Sequence, residues 1–221
     1  MIQVLSVEDA EGAKGKYSIT LGISGGGDGS GGTEHEERKN LLVFRYFCPE
    51  LPATGEFLSE EQCEALLLAD ESSRAAVKAV GFLAYGDQTA KKLTEKLRAK
   101  GFSKEACAEA VRWALDKRYI REDEQLERFM HVLCESKRYG LRRIRQEVYS
   151  RGFAADTVKA HFSDIAETLD FDAALDERLK KIPSETLSDP DKTRRLTASL
   201  LRYGFSPDEI HRALKRKKEE A

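Results

Sequence analysis

Apolar positions along the 221-residue chain change their spacing partway through. Over residues 1–23, QVLSV and KYSITLGI alternate loosely between apolar and polar side chains. That period of two predicts short strands joined through EGAKGK. SGGGDGSGGTEHEER has almost no apolar surface to offset its ordering entropy, which predicts a flexible polar loop. LLVFRYFC resumes as a strand, closed by Pro49 and Pro52. From FLSEEQCEALLLADE onward the spacing is helical, and Ser59 with Gln62 predicts a capping box at the first helix.

The helical part repeats itself. LTEKLRAKGFSKEACAEAV, IRQEVYSRGFAADTVKAHF and LTASLLRYGFSPDEIHRAL align on Gly101, Gly152 and Gly204, which stand 51 and 52 residues apart. Eight residues before each glycine lies Leu93, Ile144 or Leu196, and four before lies Leu97, Val148 or Leu200. Phe102, Phe153 or Phe205 follows directly. The spacing describes a helix with an i, i+4 apolar stripe, a glycine in the left-handed cap region and a phenylalanine folded back over the last turn. A second helix starts at once, capped by Ser103 in the first segment and by Ser206, Pro207 and Glu209 in the third. Two short amphipathic helices cannot bury their stripes alone, so each pair needs an upstream partner. ESSRAAVKAVGFLAYG, EDEQLERFMHVLCESKRYG and FDAALDERLKKI fill that role. The expected fold is mainly α, with three tandem three-helix repeats forming an elongated curved array after a small β-hairpin region. The expected boundaries are 1–58 for the hairpin region with its glycine-rich loop, then 59–118, 119–170 and 171–221 for the repeats.

Composition narrows the chemistry. No apolar run approaches the length of a membrane span and the first residues carry no signal-peptide pattern, so a cytoplasmic protein is expected. Cys48, Cys63, Cys107 and Cys134 form no CxxC pair and have no histidine at ligand spacing, which predicts free, packed thiols. His35 sits in the polar loop, and His131, His161 and His211 fall in separate helices. GGGDGSGG contains a GxGxxG at Gly27, Gly29 and Gly32, but no helix opens at these glycines to meet a pyrophosphate. Glu122, Asp123 and Glu124 precede a helix whose macrodipole favours them without any metal. No cofactor and no enzyme chemistry are expected.

Charge is what remains. The net value is −2, yet residues 1–87 carry 7 basic and 15 acidic groups, a net −8. Residues 88–160 carry 18 basic and 11 acidic groups, a net +7, and residues 161–221 come to −1. Within KRYGLRRIRQEVYSRG, Lys137, Arg138, Arg142, Arg143, Arg145 and Arg151 crowd one turn and one helix. Leu141, Ile144 and Val148 mark its buried face, so Arg142 and Arg145 should flank that face while Arg143 points further outward. Lys91, Lys92, Lys96, Arg98 and Lys100 repeat the idea in the preceding unit. Such helices suit phosphates or an acidic protein groove. A solvated face with pairs such as Arg143–Glu147 is the plainer alternative.

Taken together, AKKLTEKLRAKGFSKEACAEAVRWALDKRYIREDEQ, YGLRRIRQEVYSRGF and RLTASLLRYGFSPDEIHRAL resemble the RecX family, regulators of the RecA recombinase. The resemblance covers about residues 60–221. It implies a non-enzymatic monomer, without a membrane partner, that binds in the groove of the RecA filament on single-stranded DNA. There it would inhibit or modulate strand exchange and coupled ATP hydrolysis, and bind DNA directly only weakly. It implies contact roles for Tyr139, Gly140, Arg142, Arg143 and Arg145, with Lys96 and Lys100. Departures from the family pattern include the turn FLAYGDQTAKK and the arginine of YIREDEQ. A general helical DNA-binding module, acting through phosphate contacts, is the alternative; a scaffold for another protein and an enzyme are further ones.

Overall fold

Four segments near the N-terminus pair as strands, the first two on their alternating apolar and polar positions. In the computed structural model they form an antiparallel sheet in the order β3-β2-β1-β4. The strands are β1 (Ile2–Asp9), β2 (Lys16–Ser24), β3 (Glu36–Phe44) and the two-residue β4 (Phe57–Leu58). The structure describes residues 1–10, 15–24 and 36–219. Most of the expected glycine-rich loop, its GxGxxG glycines and His35 lie outside the described residues.

β1 and β2 pair from Ile2 opposite Ile23 to Asp9 opposite Tyr17, with a bulge between Val4 and Ser6. β3 differs from the expected strand at both ends. It begins at Glu36, inside the run read as polar loop, because Glu36–Asn40 pairs along Thr20–Ser24. Glu37, Arg38, Lys39 and Asn40 are exposed, and charged positions suit an edge strand. It ends at Phe44, because Arg45 donates its N–H to Gly15 and the chain then turns, with Phe47 donating to Phe44.

The edge of β3 is covered by α1 (Glu60–Ala84), one 25-residue helix opened by the Ser59–Gln62 capping box. The N–H of Leu42 donates to Asp70 Oδ1 at 2.8 Å, and the N–H of Phe44 donates to Ser73 Oγ at 2.8 Å. Two strand donors that would otherwise be unsatisfied are thereby paired by helix side chains. Arg74 holds Asp70 from one turn further on, at 2.8 Å. Beneath the sheet, Val4, Ile19, Leu21, Leu41 and Val43 bury against Leu66 and Ala69 of the same helix.

The remaining described elements are helical. They are α2 (Ala90–Arg98), α3 (Lys104–Asp116), α4 (Glu122–His131), α5 (Leu141–Arg151), α6 (Ala155–Thr168), α7 (Phe171–Leu179), α8 (Pro190–Arg202) and α9 (Pro207–Glu219). A π-helical turn, Val132–Ser136, continues α4, and a 3-10 turn, Ser184–Ser188, precedes α8. No helix among the described residues is long and apolar enough to cross a membrane. The chain divides into two compact units, Met1–Ile120 and Arg121–Ala221.

In the first unit, Leu93 and Leu97 of α2 are fully buried with Cys107, Ala110 and Trp113 of α3 and Ala75, Ala76 and Ala79 of α1. Burying each such leucine contributes about 1.5–3 kcal/mol, which outweighs the modest helix propensity of a nine-residue segment. In the second unit, Ile144, Val148, Leu200, Phe205 and Ile210 share one core with Leu126, Met130 and Leu175. Gly101, Gly152 and Gly204 have φ of +90°, +81° and +92°. Gly152 is itself the cap of α5, while Gly101 and Gly204 follow αR caps at Ala99 and Tyr203. The four cysteines are free thiols, and burial pushes Cys134 up to about 11.

Candidate functional site

The start of α5 is fixed by two copies of the tripeptide Arg-Tyr-Gly, at 138–140 and 202–204. The Gly140 N–H donates to the Tyr203 carbonyl at 2.9 Å, and the Arg142 N–H donates to the Gly204 carbonyl at 3.2 Å. The two backbones approach too closely for any side chain. A Cβ on Gly140 would lie 2.4 Å from the Gly204 carbonyl carbon, and one on Gly204 would lie 2.3 Å from the Arg143 nitrogen. Tyr139 and Tyr203 face each other with ring centroids 6.1 Å apart.

Arg178 of α7 completes this clamp. Its guanidinium carbon lies 3.3 Å from the Tyr203 ring centroid, while Nε donates to the Arg138 carbonyl and Nη2 to the Lys137 carbonyl, both at 2.6 Å. The two carbonyls are turned to that cation by Arg138, a non-glycine residue at φ +56°. Its own guanidinium reaches Glu177 at 3.4 Å. Lys180, hydrogen-bonded to Glu177, and the neighbouring Arg138 hold that carboxyl below the usual carboxylate range.

The expected contact residues therefore divide. Gly140 is buried in the clamp and Tyr139 is half-buried beside it. Contrary to expectation, Arg143 is not the most outward of the three arginines, although its side chain stays partly exposed. It is less exposed than Arg142 and Arg145, lies 5.6 Å from the Tyr139 centroid and pairs with Glu147 at 2.6 Å. Helical geometry carries Arg143 over the ring that precedes the helix. Arg151 stacks on Phe129 at 5.4 Å. Lys137, Arg142 and Arg145 are exposed and have no acidic partner among the described residues, although Arg145 also lies 5.0 Å from the Phe162 centroid.

Tyr149 was missed by the sequence reading. It is 67% exposed, and its positions i+7 from Arg142 and i+4 from Arg145 put all three on one face of α5. The signal was legible: a tyrosine off the Ile144–Val148 stripe has no core to enter. In the first unit, Lys96 lies 5.5 Å from the Phe82 centroid, with Lys78 at 5.6 Å. Lys92 belongs to the first turn of α2, its N–H capped by Thr89, and Lys100 is exposed beyond the helix end. Phe102 and Phe153 pack at the edges of their units' cores, and Phe205 is fully buried.

Two glutamates also carry roles beyond those read from the sequence. Glu122 is buried, and its carboxylate accepts the Ala154 N–H at 2.7 Å, just before α6. Glu71 of α1 accepts both the N–H and the Oγ–H of Ser103, at 2.7 and 2.6 Å, just before α3. Donor and acceptor alike stand 51 residues apart, the spacing of Gly101 and Gly152. Each upstream helix thus caps the second helix of the pair that follows it, which places a negative charge at a helix N-terminus.

Fold and site together define a mainly helical protein with a small N-terminal antiparallel sheet and a basic helix held rigidly at its start. No family model matches the chain. Over 161 residues the chain is 24% identical to the regulatory protein RecX of Clostridioides difficile strain 630, covering 72% of this chain and 76% of that protein. Over 160 residues it is 26% identical to the regulatory protein RecX of Caldanaerobacter subterraneus subsp. tengcongensis, covering 72% and 79%. A crystal structure of regulatory protein RecX shares the fold, with a TM-score of 0.63 at 16% identity over 98% of this chain and 100% of that one. The chain is thus similar in sequence to proteins named regulatory protein RecX and shares the fold of a solved one.

Proposed function

We propose that the chain is a non-catalytic regulator of the RecA recombinase, acting in the cytoplasm as a monomer on the RecA filament assembled on single-stranded DNA. The observation that carries the surface assignment is the α5 face of Arg142, Arg145 and Tyr149, exposed and without an acidic partner among the described residues. Two cations and an aromatic ring on a helix whose first turn is clamped suit a groove lined by phosphate and acidic side chains. Because the backbone at the start of α5 is already held, docking there need order only the side chains. Occupying the groove would inhibit or modulate strand exchange and the coupled ATP hydrolysis. The reading includes three successive three-helix repeats over 59–118, 119–170 and 171–221, supported by the recurring glutamate caps, with Lys92, Lys96 and Lys100 as secondary contacts. Tyr139, Gly140, Arg143 and Arg151 serve this surface by positioning it.

Arg142→Glu/Arg145→Glu is the informative variant, because reversing Arg143 would also place two carboxylates together at Glu147. At matched salt, it should bind a RecA–single-stranded DNA filament at least about tenfold more weakly, a change of about 1.4 kcal/mol. Its thermal melting should fall only slightly, through the lost contact of Arg145 with Phe162. Equal filament binding by the variant and the parent chain removes α5 from the interface. Binding to bare DNA as tight as to the filament, with a steep salt slope, favours the general DNA-binding module instead.

A further inference from the structure

We infer that the first unit carries a separate stacking site for a base of single-stranded nucleic acid, in a cavity between the β2–β3 end of the sheet and the C-terminus of α3. The inference stands on geometry of this unit alone and does not use α5.

The aromatic wall is built by the end of α3. Arg118, at φ +56°, occupies the left-handed position usually given to glycine. Its neighbour Tyr119 then donates its N–H back to the Ala114 carbonyl at 2.9 Å, and its ring settles 5.3 Å from that of Trp113. This is the helix-closing bond with its accompanying hydrophobic contact. Trp113 is in turn backed by Phe44 at 5.9 Å and Phe47 at 6.5 Å, so the wall is rigid from behind. Tyr119 nonetheless remains 53% exposed.

Cations surround that wall. Lys16, Arg45 and Lys117 line the same cavity of about 510 Å³, which is within the usual range for sites that take a small ligand. No acidic side chain is among the described residues lining it. Asp116, the nearest carboxylate in sequence, is engaged by the Tyr46 hydroxyl. The concentration of positive charge is local: residues 1–120 carry 16 basic and 19 acidic groups, a net −3. Lys16 lies 4.9 Å from the Phe44 centroid, and Arg45 reaches the Tyr17 hydroxyl at 3.5 Å. None of the three is neutralised by an ion pair among the described residues. An acidic peptide would use the cations and leave the ring idle. A nucleotide uses both, its base on Tyr119 and its phosphates on the lysines and arginine.

Trp113 is the chain's single tryptophan, so the site carries its own reporter. The full chain is titrated with a short oligothymidylate, with an abasic oligomer of equal length and with polyglutamate, following Trp113 fluorescence. The oligothymidylate should quench it, and the abasic oligomer should bind about tenfold more weakly. Tyr119→Leu, which keeps an apolar contact with Trp113, should weaken binding by about the same factor. Lys16→Gln/Lys117→Gln should lower the logarithmic salt slope by about 1.4, the share of two phosphate contacts on a single strand; an unchanged slope refutes the site even if Tyr119→Leu fails to fold. Equal binding of the abasic oligomer, or tighter binding of polyglutamate, also overturns the proposal. Arg142→Glu/Arg145→Glu should retain the Trp113 response. Its loss there would trace the signal to α5, sinking this site while leaving the filament reading intact.

Discussion

The turns at Gly101 and Gly204 are written with nearly the same residues and do different work. Both follow a leucine stripe, both precede phenylalanine and both have φ near +90°. Beside Gly101 a Cβ would meet nothing within 4 Å, whereas beside Gly204 it would strike the Arg143 backbone at 2.3 Å. The first is a glycine because of its backbone angle alone. The second is a glycine because of that angle and because the start of α5 lies against it. A repeated motif thus encodes a local conformation, while the neighbour that exploits it is set by the rest of the unit.

Substitutions separate the two roles. Gly204→Ala meets both a left-handed backbone and a backbone clash, and should destabilise the second unit by about 3 kcal/mol or more. Far-UV circular dichroism through a urea titration would show it. Glu122→Gln should follow at about 2 kcal/mol, since it weakens a buried charge-assisted bond to Ala154, which has no capping side chain of its own. Gly101→Ala should cost about 1–2 kcal/mol, the conformational term by itself. Glu71→Gln should cost about 1 kcal/mol, because Ser103 still caps α3 through the Ala106 N–H. Trp113 emission reports the last two, since its core belongs to the first unit. Equal costs at Gly101 and Gly204 would break the distinction between an open turn and a clamped one.

Much of this was legible beforehand because periodicity and capping are local. The leucine and phenylalanine spacing located the helix pairs α2–α3, α5–α6 and α8–α9, and Ser59, Ser103 and Ser206 marked three helix starts. Long-range pairings were not legible. Nothing local indicates that the polar run Glu36–Asn40 pairs with β2, or that Asp70 and Ser73 close the edge of β3. The clustered arginines of α5 were visible in number but not in role. The Arg143–Glu147 pair was foreseen from its i, i+4 spacing, but not the Tyr139 ring beside Arg143, nor Arg178, remote in sequence, which organises the turn before them. Tyr119 escaped notice because its position depends on Arg118 adopting a glycine-like angle.

The most direct test of the proposed function is the single-stranded DNA-dependent ATPase of RecA, measured with increasing amounts of the parent chain and of Arg142→Glu/Arg145→Glu. The account predicts that the parent chain lowers the rate and that the variant requires at least about tenfold more protein for the same effect. An unchanged ATPase rate at severalfold molar excess of the parent chain would contradict it.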